Sequence, residues 1–285
     1  MSCTLCSFPI ILITLSGTTL LSCSGAGGSG PHADTDPNGW SRQVSYTKTI
    51  PPFTFHVPAE GLAFAERDPL VAACTGAIER NCKMLEVDSF TVPYRIRFYP
   101  SKAAMKAAVN IGVSGHADYW NKELGLVVTD DPAVMEAENI IAPPIAHETM
   151  HMVAMEKWGF PPEDVQWLNE GLATAAANNC NGYDVHQVYS HLLSHDRALP
   201  MDSLVHSFYA CDEMVAYHQA GSYAHYLLQH HGVQKLGALW QEGFASFERI
   251  YGISFAAMRE RMDAEVLAMH PHVPLDWERF KAGCK

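Results

Sequence analysis

The chain has 285 residues, 48% of them hydrophobic, and can therefore bury a large core as one big domain or two small ones. Its formal net charge of -12 argues against nucleic acid as a partner, because phosphate binding requires clustered lysine and arginine side chains. The sequence contains neither an internal repeat nor a run of like charges.

The N-terminal segment predicts export. The first thirty residues contain no charged side chain and no histidine, and their apolar run is too short to anchor the chain across a bilayer, so residues 1–22 are interpreted as a signal peptide. Leu20, Leu21, Ser22 and Cys23 resemble the lipobox of bacterial lipoproteins, which implies that Cys23 carries lipid. Residues 23–44 are rich in Gly, Ser and Pro and predict a tether.

This interpretation places the protein on the bacterial cell envelope, at the outer membrane or the cell surface, with the lipid as its only membrane attachment. The alternative is an ordinary secretion signal with an incidental cysteine, which would release the protein. In both cases we expect the mature chain to leave the cytoplasm.

A strand–helix–strand–helix–strand order follows over residues 45–130. Apolar runs predict the strands, helical spacing of apolar residues predicts the first helix, and Ser101 is a suitable N-cap for the second. The predicted strands are 53–57, 92–99 and 124–129, and the predicted helices are 62–85 and 101–109. This order implies an α+β fold in which a small mixed sheet carries packed helices.

Residues 131–285 are predicted to be helical. Pro143 and Pro144 suit the start of a helix, and Gly159, followed by phenylalanine and two prolines, predicts its end. A second helix is expected to continue to about residue 177, where an alanine-rich run ends. Further helices are predicted at 213–231, 234–242 and 254–268.

Residues 178–210 are interpreted as an irregular, solvated loop. The segment contains four histidines, His186, His191, His195 and His206, which could suggest a metal site. They share no tight spacing, however, so we prefer the loop interpretation.

Five cysteines follow the predicted lipidation site, so at least one thiol is unpaired or paired between chains. Cys74 and Cys82 are eight residues apart on one predicted helix, which separates them by about 12 Å and excludes a disulfide. Cys180 and Cys211 bracket the His-rich segment and are the preferred pair, although the sequence alone does not fix the connectivity.

The segment HETMH, from His147 to His151, is the clearest functional motif. Its two histidines lie one helical turn apart on the same face, so both imidazoles can reach one metal ion. Glu148 lies beside that face and can accept a proton, but it is poorly placed to be a third ligand. Glu170 follows His151 after eighteen intervening residues, on the helix beyond the Pro-containing turn, and is predicted to fold back as the third ligand.

HETMH, with NEGLA eighteen residues later, resembles the peptidase-MA-like gluzincin zinc metallopeptidases. The resemblance implies a zincin-like fold with an all-helical C-terminal part and one Zn²⁺ bound by His147, His151 and Glu170. It also implies that Glu148 is the general base that activates water for hydrolysis of a peptide or protein substrate. The alternative for the motif is two surface histidines on an ordinary amphipathic helix.

The same resemblance suggests a residue for the oxyanion. Tyr217 lies near where aminopeptidase N-like gluzincins carry a tyrosine that hydrogen-bonds the oxyanion, although this sequence has one more residue between the tyrosine and the following glycine. Tyr223 is the reserve candidate, and a packing role is the alternative for either tyrosine. His218 and His225 are further possible donors.

Substrates of gluzincins commonly pair with the edge of the active-site sheet. Residues 124–129 are the expected edge strand, so the predicted substrate-binding residues are Leu124, Gly125, Leu126 and Val127. The segment MEAEN at 135–139 looks like the G-x-M-E-N element of aminopeptidases only superficially, and this favours an endopeptidase. A zincin-fold lipoprotein that acts as a binding or scaffold module is the alternative function.

Overall fold

The computed structural model describes residues 44–138, 140 and 142–284. The predicted signal peptide, the lipidation site Cys23 and the predicted tether up to residue 43 lie outside the described residues. The residues from 44 onward belong to one compact unit.

Within the described ranges, no helix is both long enough and apolar enough to cross a membrane.

A five-stranded mixed sheet occupies the N-terminal part and has the order β1-β2-β3-β5-β4. The strands are β1 (Val44–Ile50), β2 (Phe53–Pro58), β3 (Tyr94–Tyr99), β4 (Gly115–Asp118) and β5 (Glu123–Val127). β1 pairs antiparallel with β2, and β4 pairs antiparallel with β5. The three inner strands β2, β3 and β5 run parallel to one another. The predicted α+β class and the mixed sheet are therefore confirmed, and β1 and β4 are additions to the prediction.

The expectation that 124–129 forms the edge strand is wrong. β5 pairs with β3 on one side and with β4 on the other, so β4 is the outer strand of the described sheet. Leu124, Leu126 and Val127 are fully buried. Their continuous apolar run is typical of a strand covered on both faces, whereas β4, with the sequence GHAD, lacks an apolar alternation and pairs through its backbone.

Helices pack on the sheet and then form the whole C-terminal part beyond β5, as predicted. The helices are α1 (Leu62–Ala65), α2 (Arg67–Met84), α3 (Lys102–Val109), α4 (Pro132–Glu138), α5 (Ile145–Trp158), α6 (Gln166–Ala177), α7 (Val185–Ser194), α8 (Met201–Ser207), α9 (Glu213–Glu242), α10 (Phe247–Tyr251), α11 (Phe255–Met269) and α12 (Trp277–Lys281). α9 is interrupted at Gly232, whose φ of 78° is accessible to glycine, and this matches the two helices predicted there.

The interpretation of 178–210 as an irregular solvated loop is wrong, because α7 and α8 lie within it. Asp184 and Gln187 form a capping box at the start of α7, and Pro200 precedes α8. His186 and His191 are buried on α7. Two short helices contain too few periodic positions to be recognised by apolar spacing, although the capping box was a readable signal.

The disulfide joins Cys180 to Cys284, so the preferred pairing of Cys180 with Cys211 is wrong. Cys211 is a free, half-buried thiol whose Sγ lies 3.4 Å from the Ser207 carbonyl oxygen. α8 separates it from Cys180, whereas the chain after α12 returns the C-terminus to that residue. Cys74 and Cys82 are both free and buried on α2, as expected from their spacing.

Close packing of α6 against α9 fixes the helical part. Gly171 lies against the α9 backbone, where an added Cβ would stand 2.4 Å from the Ala220 carbonyl oxygen. The glycine of the NEGLA segment therefore allows two helix backbones to touch. α5 ends at Gly159, with φ of 85°, and the following turn leads into α6 as the sequence predicts.

Candidate metal centre

Three side-chain donors converge where α5 faces α6. The Nε2 atoms of His147 and His151 are 3.1 Å apart, and each lies 3.3 Å from Oε2 of Glu170. Three ligands at about 2.0–2.1 Å from a tetrahedral zinc ion stand about 3.3 Å from one another, which this triangle matches. The three predicted ligands are thus brought together, and they fit one zinc ion.

Asn169 orients one of these histidines. Nδ1 of His151 donates to Oδ1 of Asn169 over 2.7 Å, which leaves the Nε2 lone pair directed at the centre of the triangle. A hydrogen bond of this kind to the outer ring nitrogen is the usual support of a metal-binding histidine. Asn169 was not predicted from the sequence, although its place immediately before Glu170 was a possible signal.

The triangle is charged even without a metal ion. Burial alone would lower the pKa of His151, but the Glu170 carboxylate beside it outweighs this and raises the pKa to about 9. Burial likewise would raise the pKa of Glu170, but His151 and His147 hold it well below its usual range. In the metal-free protein, the proton on His151 therefore supplies the positive charge beside Glu170 that a bound metal ion would supply.

Glu148 is buried beside the triangle, and burial raises the pKa of its carboxyl group. It faces the backbone of β4, because an added Cβ on Gly115 would lie 2.7 Å from Glu148 Cγ and 2.9 Å from its Oε1. A side chain at position 115 would displace the carboxylate. Glycine at the start of β4 therefore allows the edge strand to pass directly next to the predicted general base.

Two tyrosines contact the candidate metal ligands. The ring of Tyr217, on α9, stacks on the His147 ring with centroids 6.1 Å apart. Tyr209, in a short 3₁₀ helix at Phe208–Ala210, donates its hydroxyl hydrogen to Oε1 of Glu170 over 2.9 Å. Tyr209 was missed because it has no fixed spacing from the motif.

The reserve oxyanion candidate is not in the cleft. Tyr223 is fully buried, and its hydroxyl is bonded to Tyr189 and Gln219. His225 is also remote, since its ring pairs with His186. Among the described residues, these two positions therefore belong to the packing of α9 rather than to the site.

His218 lies on the cleft wall and is held neutral. Burial lowers its pKa to about 4, and its Nδ1 donates to the Met214 carbonyl oxygen over 2.7 Å. Its Nε2 lies 3.5 Å from the sulfur of Cys284. These three groups, His218, Cys284 and Cys180, are close enough to share a metal ion, but the two cysteines are joined in the disulfide.

A cleft of about 980 Å³ opens over the triangle. Gly115, His116 and Ala117 of β4 line one side of it, whereas the predicted substrate residues Leu124, Gly125, Leu126 and Val127 do not line it. Gly125 instead provides the space for the His116 ring, since an added Cβ would lie 2.4 Å from that ring. Burial lowers the pKa of His116.

The outer edge of β4 presents free backbone groups to this cleft. The amide of Val127 donates to the Ser114 carbonyl oxygen over 2.9 Å, and antiparallel pairing alternates along the strand. Gly115 and Ala117 therefore direct their N–H and C=O groups away from β5. An extended peptide is the type of ligand that pairs with such an edge.

The MEAEN segment has a different structural role. Glu138, at the end of α4, accepts hydrogen bonds from the backbone N–H groups of Lys102 and Ala103 at the start of α3. It does not line the cleft. Asn139 lies outside the described residues.

No model of a known protein family matches this chain, and no curated protein matches its sequence.

Proposed function

We propose that the protein is a zinc-dependent metallopeptidase of the gluzincin type that cleaves within peptide or protein chains. The observation that carries this proposal is the convergence of His147, His151 and Glu170 on one tetrahedral position with Glu148 beside it. A purely structural metal site has four protein ligands, whereas this one has three donors and opens into a cleft.

The zinc ion, when bound, acidifies a water molecule and polarises the substrate carbonyl. Glu148 accepts the proton of the attacking water at its carboxylate and transfers it to the departing amine. His147, His151 and Glu170 hold the ion, and Asn169 keeps the His151 ring in the orientation that binds it.

The developing oxyanion needs a hydrogen-bond donor, and Tyr217 fills this role in the proposal. Its ring is fixed against His147, and it lines the cleft. Tyr209 also lines the cleft, but its hydroxyl is bonded to Glu170 and therefore supports the ligand. Replacement of Tyr217 by Phe should lower kcat at full zinc content, whereas Tyr209→Phe should weaken zinc binding.

The substrate backbone lies along β4 in this proposal, paired with Gly115 and Ala117. Pairing through backbone groups accepts many sequences and continues on both sides of the cleaved bond, which supports an endopeptidase. Export and attachment through lipid on Cys23 belong to the same proposal, and their support is the N-terminal sequence.

Zinc content tests the metal site. Purified protein should contain one zinc ion per chain by elemental analysis, and His147→Ala should lose it. His206→Ala is the matched control, because His206 is an exposed histidine on α8 outside the triangle. Equal zinc content in His147→Ala and wild type would refute the site.

A mixed peptide library with mass-spectrometric detection tests the chemistry. Wild type loaded with zinc should cleave peptides, and Glu148→Gln should not, although it retains zinc. Cleavage by both proteins would end the peptidase proposal as stated. Zinc binding without cleavage by either protein would instead support the alternative, a zincin-fold lipoprotein that acts as a binding or scaffold module.

A further inference from the structure

An exposed pair of aromatic rings lies at one end of the cleft. Trp120 is 73% exposed, more than any other large apolar side chain in the described ranges, and Phe160 is 56% exposed. Their rings stack with centroids 6.0 Å apart and an angle of 29° between planes. Two large apolar side chains held together in solvent mark a binding surface more often than isolated exposed residues do.

The cleft continues along α5 as far as Phe160. His147, His151 and Met155 follow one another at intervals of four residues, and all three line the cleft. Phe160, just beyond the end of the helix, also lines it. At 1.5 Å per residue, the eleven steps from His147 to the helix end at Trp158 span about 17 Å, and Phe160 follows two residues later.

β4 leads from the metal centre to the same place. Gly115 contacts Glu148, and the strand then continues to Asp118. The Asp118 side chain accepts hydrogen bonds from the backbone N–H groups of Trp120 and Asn121. β4 ends at Asp118, about 10 Å from Gly115 at about 3.3 Å per residue, and Trp120 follows in the turn after the strand. β4 therefore lies beside α5 at Gly115 and Glu148, and Trp120 and Phe160 stack just beyond the ends of both elements, so α5 and β4 border one channel that ends at the aromatic pair.

We propose that Trp120 and Phe160 form a subsite for a large apolar side chain, preferably aromatic, of an extended peptide substrate. This inference rests on the proposed function and adds a specificity to it. A peptide paired residue for residue along β4 reaches the end of the strand three residues from Gly115, and Trp120 follows two residues later, so the recognised side chain lies about four residues from the cleaved bond.

The side of the cleaved bond follows from the strand direction. Antiparallel pairing is the more stable arrangement per residue, and a peptide antiparallel to β4 has its amino-terminal residues towards Asp118. The aromatic pair therefore recognises a residue on the amino-terminal side. An aromatic ring that packs on Trp120 and Phe160 buries apolar area on both partners and should increase kcat/KM about tenfold.

The test uses the cleaved bond found in the peptide library. Peptides are synthesised with Phe or Gln at the third, fourth and fifth positions on the amino-terminal side, and at the same positions on the carboxyl-terminal side. Wild type should prefer Phe about tenfold in kcat/KM at one amino-terminal position, and Trp120→Ala and Phe160→Ala should remove this preference.

Two controls separate the subsite from general damage. A short peptide that ends before the fourth position should be cleaved equally by wild type, Trp120→Ala and Phe160→Ala. Met269→Ala, which removes an exposed apolar side chain at the end of α11, should retain the preference for Phe. A lost rate on the short peptide would show that the variants damage the centre itself.

Binding of the same long peptides to zinc-loaded Glu148→Gln, measured by fluorescence polarisation, keeps this inference distinguishable from the peptidase proposal. Tighter binding of the Phe peptide, lost with Trp120→Ala, supports the subsite. If wild type cleaves nothing, the same assay uses extended peptides that carry Phe or Gln at successive positions. Equal binding and equal cleavage of Phe and Gln peptides overturn it. A preference for Phe only on the carboxyl-terminal side also overturns it. So does concentration-dependent dimerisation that Trp120→Ala abolishes, if no peptide preference is found.

Discussion

Zinc must displace a proton from His151, so we predict that zinc binding is strongly pH-dependent. The Glu170 carboxylate raises the pKa of His151 to about 9 in the metal-free protein. At pH 7, only about one molecule in a hundred then has the neutral imidazole that a metal requires. The apparent affinity for zinc should rise about tenfold per pH unit from pH 7 and level off near pH 9.

Competition with a chelator of known affinity at each pH measures this slope. Glu170→Gln is the informative variant, because the neutral amide removes the charge that raises the His151 pKa. In this variant, the rise of zinc affinity with pH should level off at a lower pH than in wild type. A wild-type affinity that stays constant between pH 7 and pH 9 would refute the argument, since it would mean that His151 is already neutral when zinc arrives.

The same proton affects folding of the metal-free protein. The pKa of His151 is raised from 6.5 to about 9, so its stabilising effect is complete below about pH 6.5 and is lost as the pH rises through 9. This corresponds to a loss of about 3 kcal/mol in the free energy of unfolding across that window. Urea titrations of metal-free wild type and Glu170→Gln should show the difference, which zinc loading should remove.

Three substitutions give further predictions. Gly115→Ala should lower kcat/KM about a hundredfold at unchanged zinc content, because the new Cβ displaces the catalytic carboxylate; peptide cleavage and elemental analysis measure both. Asn169→Ala should weaken zinc binding 10–100-fold in chelator competition, whereas Asn169→Asp, which retains an acceptor, should not. Removing the Cys180–Cys284 disulfide, which closes a separation of 104 residues, should cost about 2–5 kcal/mol in urea unfolding, whereas Cys211→Ser should leave stability nearly unchanged.

The predicted parts of the centre are those that depend on local geometry. Helical spacing is sufficient to place His147 and His151 on one face, and the Gly159 turn is sufficient to bring α6 back towards α5. Residues whose position depends on distant chain segments could not be found in this way. Tyr209 reaches Glu170 from a 3₁₀ turn after α8, and no spacing rule connects that turn to the motif.

The errors in the fold have a similar cause. β4 was missed because strands are recognised from the alternation of apolar and polar side chains. This strand, which begins at Gly115 and ends at Asp118, lacks that alternation and joins the sheet through backbone pairing. Because β4 was not predicted, β5 was expected to be the edge strand. The disulfide was misassigned because sequence proximity favoured Cys211, whereas the path of α12 returns the C-terminus to Cys180.

The contact of Gly171 with Ala220 has a consequence for which metal ion the protein selects. Glu170 precedes this glycine on α6, so the spacing between the α6 and α9 backbones sets the third corner of the donor triangle. Ions that form longer bonds than zinc require a wider triangle, and two touching backbones resist that expansion. The close contact at Gly171 would therefore favour small ions over larger ones such as calcium, which would press α6 against α9.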